Sequence, residues 1–206
     1  MIKNILIVTA KTNIDYSIFN SDSNYIVGVE RGCLDLIEKG IKIDLAIADF
    51  DKVIPEELEL IKTNAKSFEI LEVDKDLLDG EIAILRALEI EHQKIIFVAN
   101  PTKRFDKNIS IFNLIFKYGI HFMNDETTMF RINKGLTTLD FNNYQNKTFI
   151  SFYAYEKTNI SIRNMKYNAE NLVFSQYENT CISNAFIPYQ NPEIETNKNI
   201  ICIMTK

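Results

Sequence analysis

The chain has 206 residues, of which 46% are hydrophobic, 25% charged and 11% aromatic. At about 100–200 residues per domain, that length holds one domain or two small ones, and the apolar share excludes wholesale disorder. The formal net charge of −5 comes from 23 basic and 28 acidic residues that are interleaved, which argues against a broad basic surface for nucleic acid.

The start, Met1-Ile2-Lys3-Asn4-Ile5-Leu6-Ile7-Val8, has no small-residue cleavage site and reads as a first strand, not a signal peptide. No apolar run approaches the roughly 18 residues of a membrane span. A soluble, cytoplasmic protein without membrane association is the expectation. Cys33, Cys181 and Cys202 are far apart and odd in number. They suit free thiols in a reducing compartment better than a disulfide framework or a zinc knuckle.

Up to about Asn124, short apolar runs alternate with amphipathic stretches. The runs are Ile5–Val8, Tyr25–Val29, Leu45–Ala48, Phe68–Val73, Ile95–Ala99 and Ile120–Met123. Between them, Pro55–Thr63, Asp79–Glu91 and Lys107–Tyr118 carry helical periodicity, with Ile82, Leu85, Leu88 and Glu89 close to one face of the second. Near-continuous apolar strands separated by helices predict buried parallel strands in a doubly wound α/β domain, residues 1–124.

After that point the texture changes. Thr127–Ile132, Thr148–Tyr153, Thr158–Ile162, Leu172–Tyr177, Ala185–Ile187 and Ile200–Thr205 are short and rich in Ile, Phe, Tyr and Thr. Turn residues separate them and period-two alternation runs through them. Residues 125–206 read as a small all-β sandwich.

The chemistry falls at strand ends. Asp49 and Asp51 follow the run Asp44–Ala48. In an extended chain, residues i and i+2 share a face, so both carboxylates can reach one hard cation. Ligands of open α/β sheets bind at such carboxyl ends, although acids there also cap helices or face water. A second cluster, Asp74-Lys75-Asp76-Leu77-Leu78-Asp79-Gly80-Glu81, opens a helix. Asp76 and Asp79 would lie on one side of its first turn, as ligands or as N-caps. Arg104 and Asp106 follow the fifth run, and Glu30 and Arg31 the second. Carboxylates for Mg²⁺ beside arginines for phosphate suggest phosphoryl-type transfer. Neither a Walker A sequence nor GxGxxG is present, so P-loop and Rossmann dinucleotide readings fail.

The weaker signals are bland. His92 and His121 have no nucleophile arrangement around them. The aromatics of Phe149–Tyr155 suit a sandwich core better than a base-stacking platform.

The order Gly28-Val29-Glu30-Arg31-Gly32, then Gly40-Ile41-Lys42-Ile43-Asp44-Leu45-Ala46-Ile47-Ala48-Asp49-Phe50-Asp51, resembles the thiamine pyrophosphokinase family. That family carries an acid-Arg/Gly-Gly turn followed by GI-x-PD-x-x-IGDFDS. Its KD-x-TD-x-E is matched by Lys75–Glu81, its GGR-x-DH by Arg104-Phe105-Asp106, and its ISNEF by Ile182-Ser183-Asn184-Ala185-Phe186. The resemblance covers nearly the whole chain, with five motifs in order.

It implies transfer of pyrophosphate from Mg·ATP to the hydroxyethyl oxygen of thiamine, giving thiamine diphosphate and AMP. By the same resemblance Asp49, Asp51 and Asp79 hold Mg²⁺, with Asp76 close by. Glu30 and Asp106 lie around the nucleotide and the reacting phosphates, and Arg31 and Arg104 contact phosphate. Ser183 and Asn184 help hold thiamine between two subunits of a homodimer. The chain departs from the family pattern at Glu30 (Asp), Lys52 (Ser), Leu78 (Thr), Thr102-Lys103 (Gly-Gly) and Lys107 (His or Gln). The rival readings are a catalytically degenerate thiamine or nucleotide binder and a Mg²⁺-dependent phosphohydrolase.

Overall fold

The structure is a computed structural model and describes residues 2–74 and 76–206. Lys75, part of the third motif, lies outside the described residues. The chain divides into two compact units. The first runs up to Leu114 and takes in Ile120–Asp125, and the second comprises Ile115–Gly119 and Glu126–Lys206.

The first unit is built from β1 (Ile2–Val8), β2 (Asn24–Val29), α1 (Gly32–Glu38), β3 (Ile43–Ala48), α2 (Pro55–Asn64), β4 (Ala65–Ile70), α3 (Asp79–Leu88), β5 (His92–Val98), α4 (Phe105–Tyr118, whose last turn passes to the second unit) and β6 (His121–Met123). All six strands pair in parallel, in the order β4-β3-β2-β1-β5-β6. This is the doubly wound α/β sheet that near-continuous apolar strands demand. On one face, Leu6, Val8, Ile26, Ile43, Ala46 and Ala48 meet Cys33 and Leu36 of α1 and Ile61 of α2. On the other face lies α3, where a Cβ added at Gly80 would stand 2.9 Å from the Phe97 ring.

Several boundaries and one face differ from the sequence reading: β1 and β5 begin at Ile2 and His92 rather than Ile5 and Ile95, and α4 begins at Phe105 rather than Lys107. β4 begins and ends earlier than Phe68–Val73, because Val73 is exposed and the chain leaves the sheet after Ile70. α3 ends at Leu88 and buries Ala83, Ile84 and Ala87 rather than a face through Leu88, which is 43% exposed. The small alanine side chains let the helix axis come close to the sheet, and this outweighs the larger hydrophobes at the flanks.

The second unit contains β7 (Thr127–Ile132), β8 (Gly135–Thr138), α5 (Phe141–Tyr144), β9 (Phe149–Ala154), β10 (Thr158–Arg163), β11 (Ala169–Phe174), β12 (Glu193–Thr196) and β13 (Ile200–Thr205). Antiparallel β7-β13-β9 and β11-β10-β12-β8 form its two layers. Alternate residues of both meet in one core: Ile150, Phe152, Ile200, Cys202 and Met204 from one layer, Ile160, Ile162, Phe174 and Ile194 from the other. This is a β-sandwich with the expected period of two.

Ala185–Ile187 forms no strand. Its neighbourhood contributes only the isolated bridges Ile150↔Asn184 and Met165↔Phe186. β11 ends at Phe174, short of Tyr177. The short strands β8 and β12 carry too few apolar residues to stand out in the sequence. The three thiols are free and buried.

Candidate functional site

The carboxyl ends of β2 and β3 are neighbours in the sheet, and each carries acids. Directly after β2, Glu30 takes a left-handed backbone, φ 52°. After β3, Phe50 does the same at φ 56°. For residues with a Cβ this conformation costs about 1–2 kcal/mol, and it is retained where the surroundings over-determine it. At Phe50 they do: its ring is buried and stacks on Phe68, with centroids 4.8 Å apart and planes 14° from parallel. Burying that ring is worth about 2–3 kcal/mol, enough to offset the strain.

Asp49 and Asp51 therefore converge through a tight turn rather than along an extended strand, which ends at Ala48. The Asp51 N–H donates to Asp49 Oδ1 at 3.3 Å within that turn.

Carboxylate oxygens of Glu30, Asp49 and Asp51 lie within 4.8 Å of one another. Glu30 is buried, and neither of its carboxylate oxygens has a hydrogen-bond partner. Burial raises its pKa, Lys52 opposes the rise, and the charges of Asp51, Asp49 and Asp79 add to it. Three hard oxygen donors, one of them a buried carboxylate without a hydrogen-bond partner, suit a divalent cation such as Mg²⁺. The family resemblance puts Asp79 in this trio and Glu30 beside the nucleotide. The structure groups Glu30 with the two aspartates, and Asp79, the first residue of α3, stands near enough to act on Glu30 by charge. The signal for Glu30 was its place at the end of the adjoining strand.

The other predicted residues divide. Asp76 is exposed and precedes α3 rather than sharing its first turn with Asp79. Arg31 donates to both carboxylate oxygens of Glu57, at 3.0 and 3.1 Å, and to the Lys52 carbonyl at 3.0 Å. Arg104 and Asp106 form an exposed two-point pair, at 2.9 and 2.5 Å, which holds the Asp106 carboxyl below the usual range.

In the second unit, Ser183 is left-handed at φ 62°, and its N–H donates to the Ser151 hydroxyl at 3.1 Å. Asn184 is buried. Its Oδ1 accepts from the N–H groups of Tyr167 (3.0 Å) and Ala185 (2.8 Å), and its Nδ2 donates to the Tyr167 carbonyl at 2.7 Å. Asn184 is thus a clamp that fixes the turn presenting Ser183.

A family model described as "Thiamin pyrophosphokinase, catalytic domain" matches residues 16–129, and one described as "Thiamin pyrophosphokinase, vitamin B1 binding domain" matches residues 136–201. The chain belongs to the thiamin pyrophosphokinase family. As a member of the thiamin pyrophosphokinase family it is an enzyme, a kinase-type transferase of the thiamine diphosphokinase class.

A thiamine pyrophosphokinase of Bacillus subtilis is 23% identical over 180 residues, spanning 84% of this chain and 83% of that protein. Among solved structures, a thiamin pyrophosphokinase family protein from Enterococcus faecalis has a TM-score of 0.86 at 20% identity, covering 99% of each chain. The thiamin pyrophosphokinase from Geobacillus thermodenitrificans has a TM-score of 0.85 at 21% identity, covering 98% of this chain and 97% of that one. The enzyme from Candida albicans gives 0.80 at 15%, covering 99% and 89%. At these identities the structural likenesses establish the fold. Among the described residues no helix is long and apolar enough to cross a membrane.

Proposed function

We propose that this protein transfers the pyrophosphoryl group of ATP to the hydroxyethyl oxygen of thiamine, forming thiamine diphosphate and AMP with Mg²⁺ at the Glu30–Asp49–Asp51 cluster. The observation that carries the reading is the buried, unpartnered Glu30 carboxylate converging with two aspartates at the sheet's carboxyl edge, in a chain of this family. Mg²⁺ bound by these groups would neutralise phosphate charge and polarise the phosphoryl oxygens.

The reaction joins the thiamine oxygen to the β-phosphorus and breaks the bond from that phosphorus to the oxygen bridging to the α-phosphate. The hydroxyl proton is released, and AMP leaves. Little covalent work falls to the protein, so its contribution is alignment and charge.

Asp49, Asp51 and Glu30 are the groups we assign to the cation, with Asp79 beside them and Asp76 at the approach. Arg31, held by Glu57, and the Arg104–Asp106 pair offer charge to the polyphosphate. Ser183 faces thiamine, and Asn184 holds the turn that presents it. We assign residues 1–124 to ATP and Mg²⁺, residues 125–206 to thiamine, and a cytoplasmic homodimer as the working form.

The test mixes purified protein with Mg·ATP and thiamine and follows AMP and thiamine diphosphate together. Equimolar appearance of both, lost in Asp49→Asn with the melting temperature kept, is the expected result. Phosphate released without thiamine would point to a phosphohydrolase. Thiamine binding without AMP would point to a binder.

A further inference from the structure

Lys52 directly follows the paired aspartates, and its ammonium sits 3.1 Å from an Asp51 carboxylate oxygen. The main chain from which it extends is anchored, because Arg31 donates to its carbonyl at 3.0 Å. The carboxylate oxygens of Glu30, Asp49 and Asp51 lie within 4.8 Å of one another, so a positive charge beside Asp51 stands close to the whole cluster.

An isolated exposed ion pair would count for little. Here the pair borders the buried Glu30, whose carboxylate has no hydrogen-bond donor and lies within 4.8 Å of Asp51's, and buried charges are screened far less than exposed ones. An ammonium is a compact point charge that balances carboxylates without offering a ligand atom. A divalent ion entering the cluster must displace it or endure its repulsion.

We propose that Lys52 is a tethered counter-ion of the Glu30–Asp49–Asp51 cluster and lowers the affinity of that cluster for a free divalent cation. The inference rests on the reading of these acids as the cation site. It makes Lys52 a positioning residue: it acts through the acids and sets how strongly they take metal.

The experiment titrates Mn²⁺ alone, without nucleotide, into the full chain and reads free Mn²⁺ by electron paramagnetic resonance. Wild type, Lys52→Met, Lys52→Gln, Lys52→Arg and Asp49→Asn are compared after melting curves confirm folding. Removing the charge in Lys52→Met or Lys52→Gln is expected to tighten Mn²⁺ binding at least about threefold, as removal of one like charge at this range requires. Lys52→Arg should stay near wild type. Unchanged or weaker binding in both neutral variants, with binding still lost in Asp49→Asn, overturns this inference and leaves the cation site standing. Absence of Mn²⁺ binding in wild type and neutral variants alike overturns both.

Discussion

Arg31 and Glu57 join the two acid-bearing loops. The guanidinium donates from Nη1 to Oε2 at 3.0 Å and from Nη2 to Oε1 at 3.1 Å. Arg31 adjoins Glu30 at the start of α1, whereas Glu57 lies in the first turn of α2 and also accepts the Ile54 N–H at 3.1 Å. With the third bond from Arg31 to the Lys52 carbonyl, the loop holding Asp49 and Asp51 is fastened to the one holding Glu30. Planar two-point pairing of this kind fixes orientation as well as distance.

Breaking this clamp should affect catalysis more than stability. Glu57→Ala removes a partly exposed ion pair and the bond that caps Ile54 N–H at the start of α2, together worth about 1–2 kcal/mol of stability. It also frees two loops whose acids must stay aligned, and small misplacements at a reacting centre are costly. The expected outcome is a fall in kcat/KM of about tenfold or more, with the melting temperature lowered by only about 2–6 °C.

Of the glycines, Gly32 has the least room for a side chain. A Cβ there would lie 2.0 Å from the Val8 carbonyl oxygen and 2.5 Å from its carbon. Backbone cannot give way as a flexible side chain can, so α1 would have to lift off β1. Gly32→Ala should destabilise the protein by about 3 kcal/mol or more, measured by chemical denaturation.

His121 gives the fold an acid-side weakness. Burial, helped by the positive charge of Lys94, pushes its imidazole down to about 4, whereas an unfolded histidine titrates near about 6.5. Between those values the unfolded chain holds a proton that the folded one refuses, so stability rises with pH in that window. The contribution is whole above the unfolded value and is lost as pH falls towards about 4, up to about 3 kcal/mol. Comparing His121→Gln with wild type in denaturant, the wild type should lose more stability between pH 7 and pH 4.5.

Asn184 separates structure from recognition in the second unit. Asn184→Ala removes the three side-chain hydrogen bonds that tie Tyr167 and Ala185 and leaves their part-buried backbone groups without these partners. The cost should be about 1–3 kcal/mol. If the turn it holds presents Ser183 to thiamine, KM for thiamine should rise more than KM for ATP.

Much of this was legible in one dimension. The inner parallel strands of the first unit are buried on both faces, which leaves near-continuous apolar runs in the sequence, whereas the edge strand β4 carries Lys66, Ser67 and Glu69. Four of the six expected strands of the second unit appear with ends shifted by no more than a residue, because half-buried strands must alternate. β8 and β12 were not legible: each is four residues long, and their pairing with the sandwich comes from neighbours distant in sequence. The α3 face was misread for a related reason. Periodicity ranks residues by hydrophobicity, whereas Ala83 and Ala87 are buried because they are small enough for close approach.

That acids stand at the ends of buried strands can be read along the chain, since both the apolar runs and the residues after them are local facts. Which acids meet depends on the folded arrangement. Glu30 joins Asp49 and Asp51 because β2 and β3 lie side by side. Asp51 turns back to Asp49 because burial of Phe50 against Phe68 holds a left-handed backbone between them. Strand order and a buried ring act through space, and spacing along the chain does not encode them.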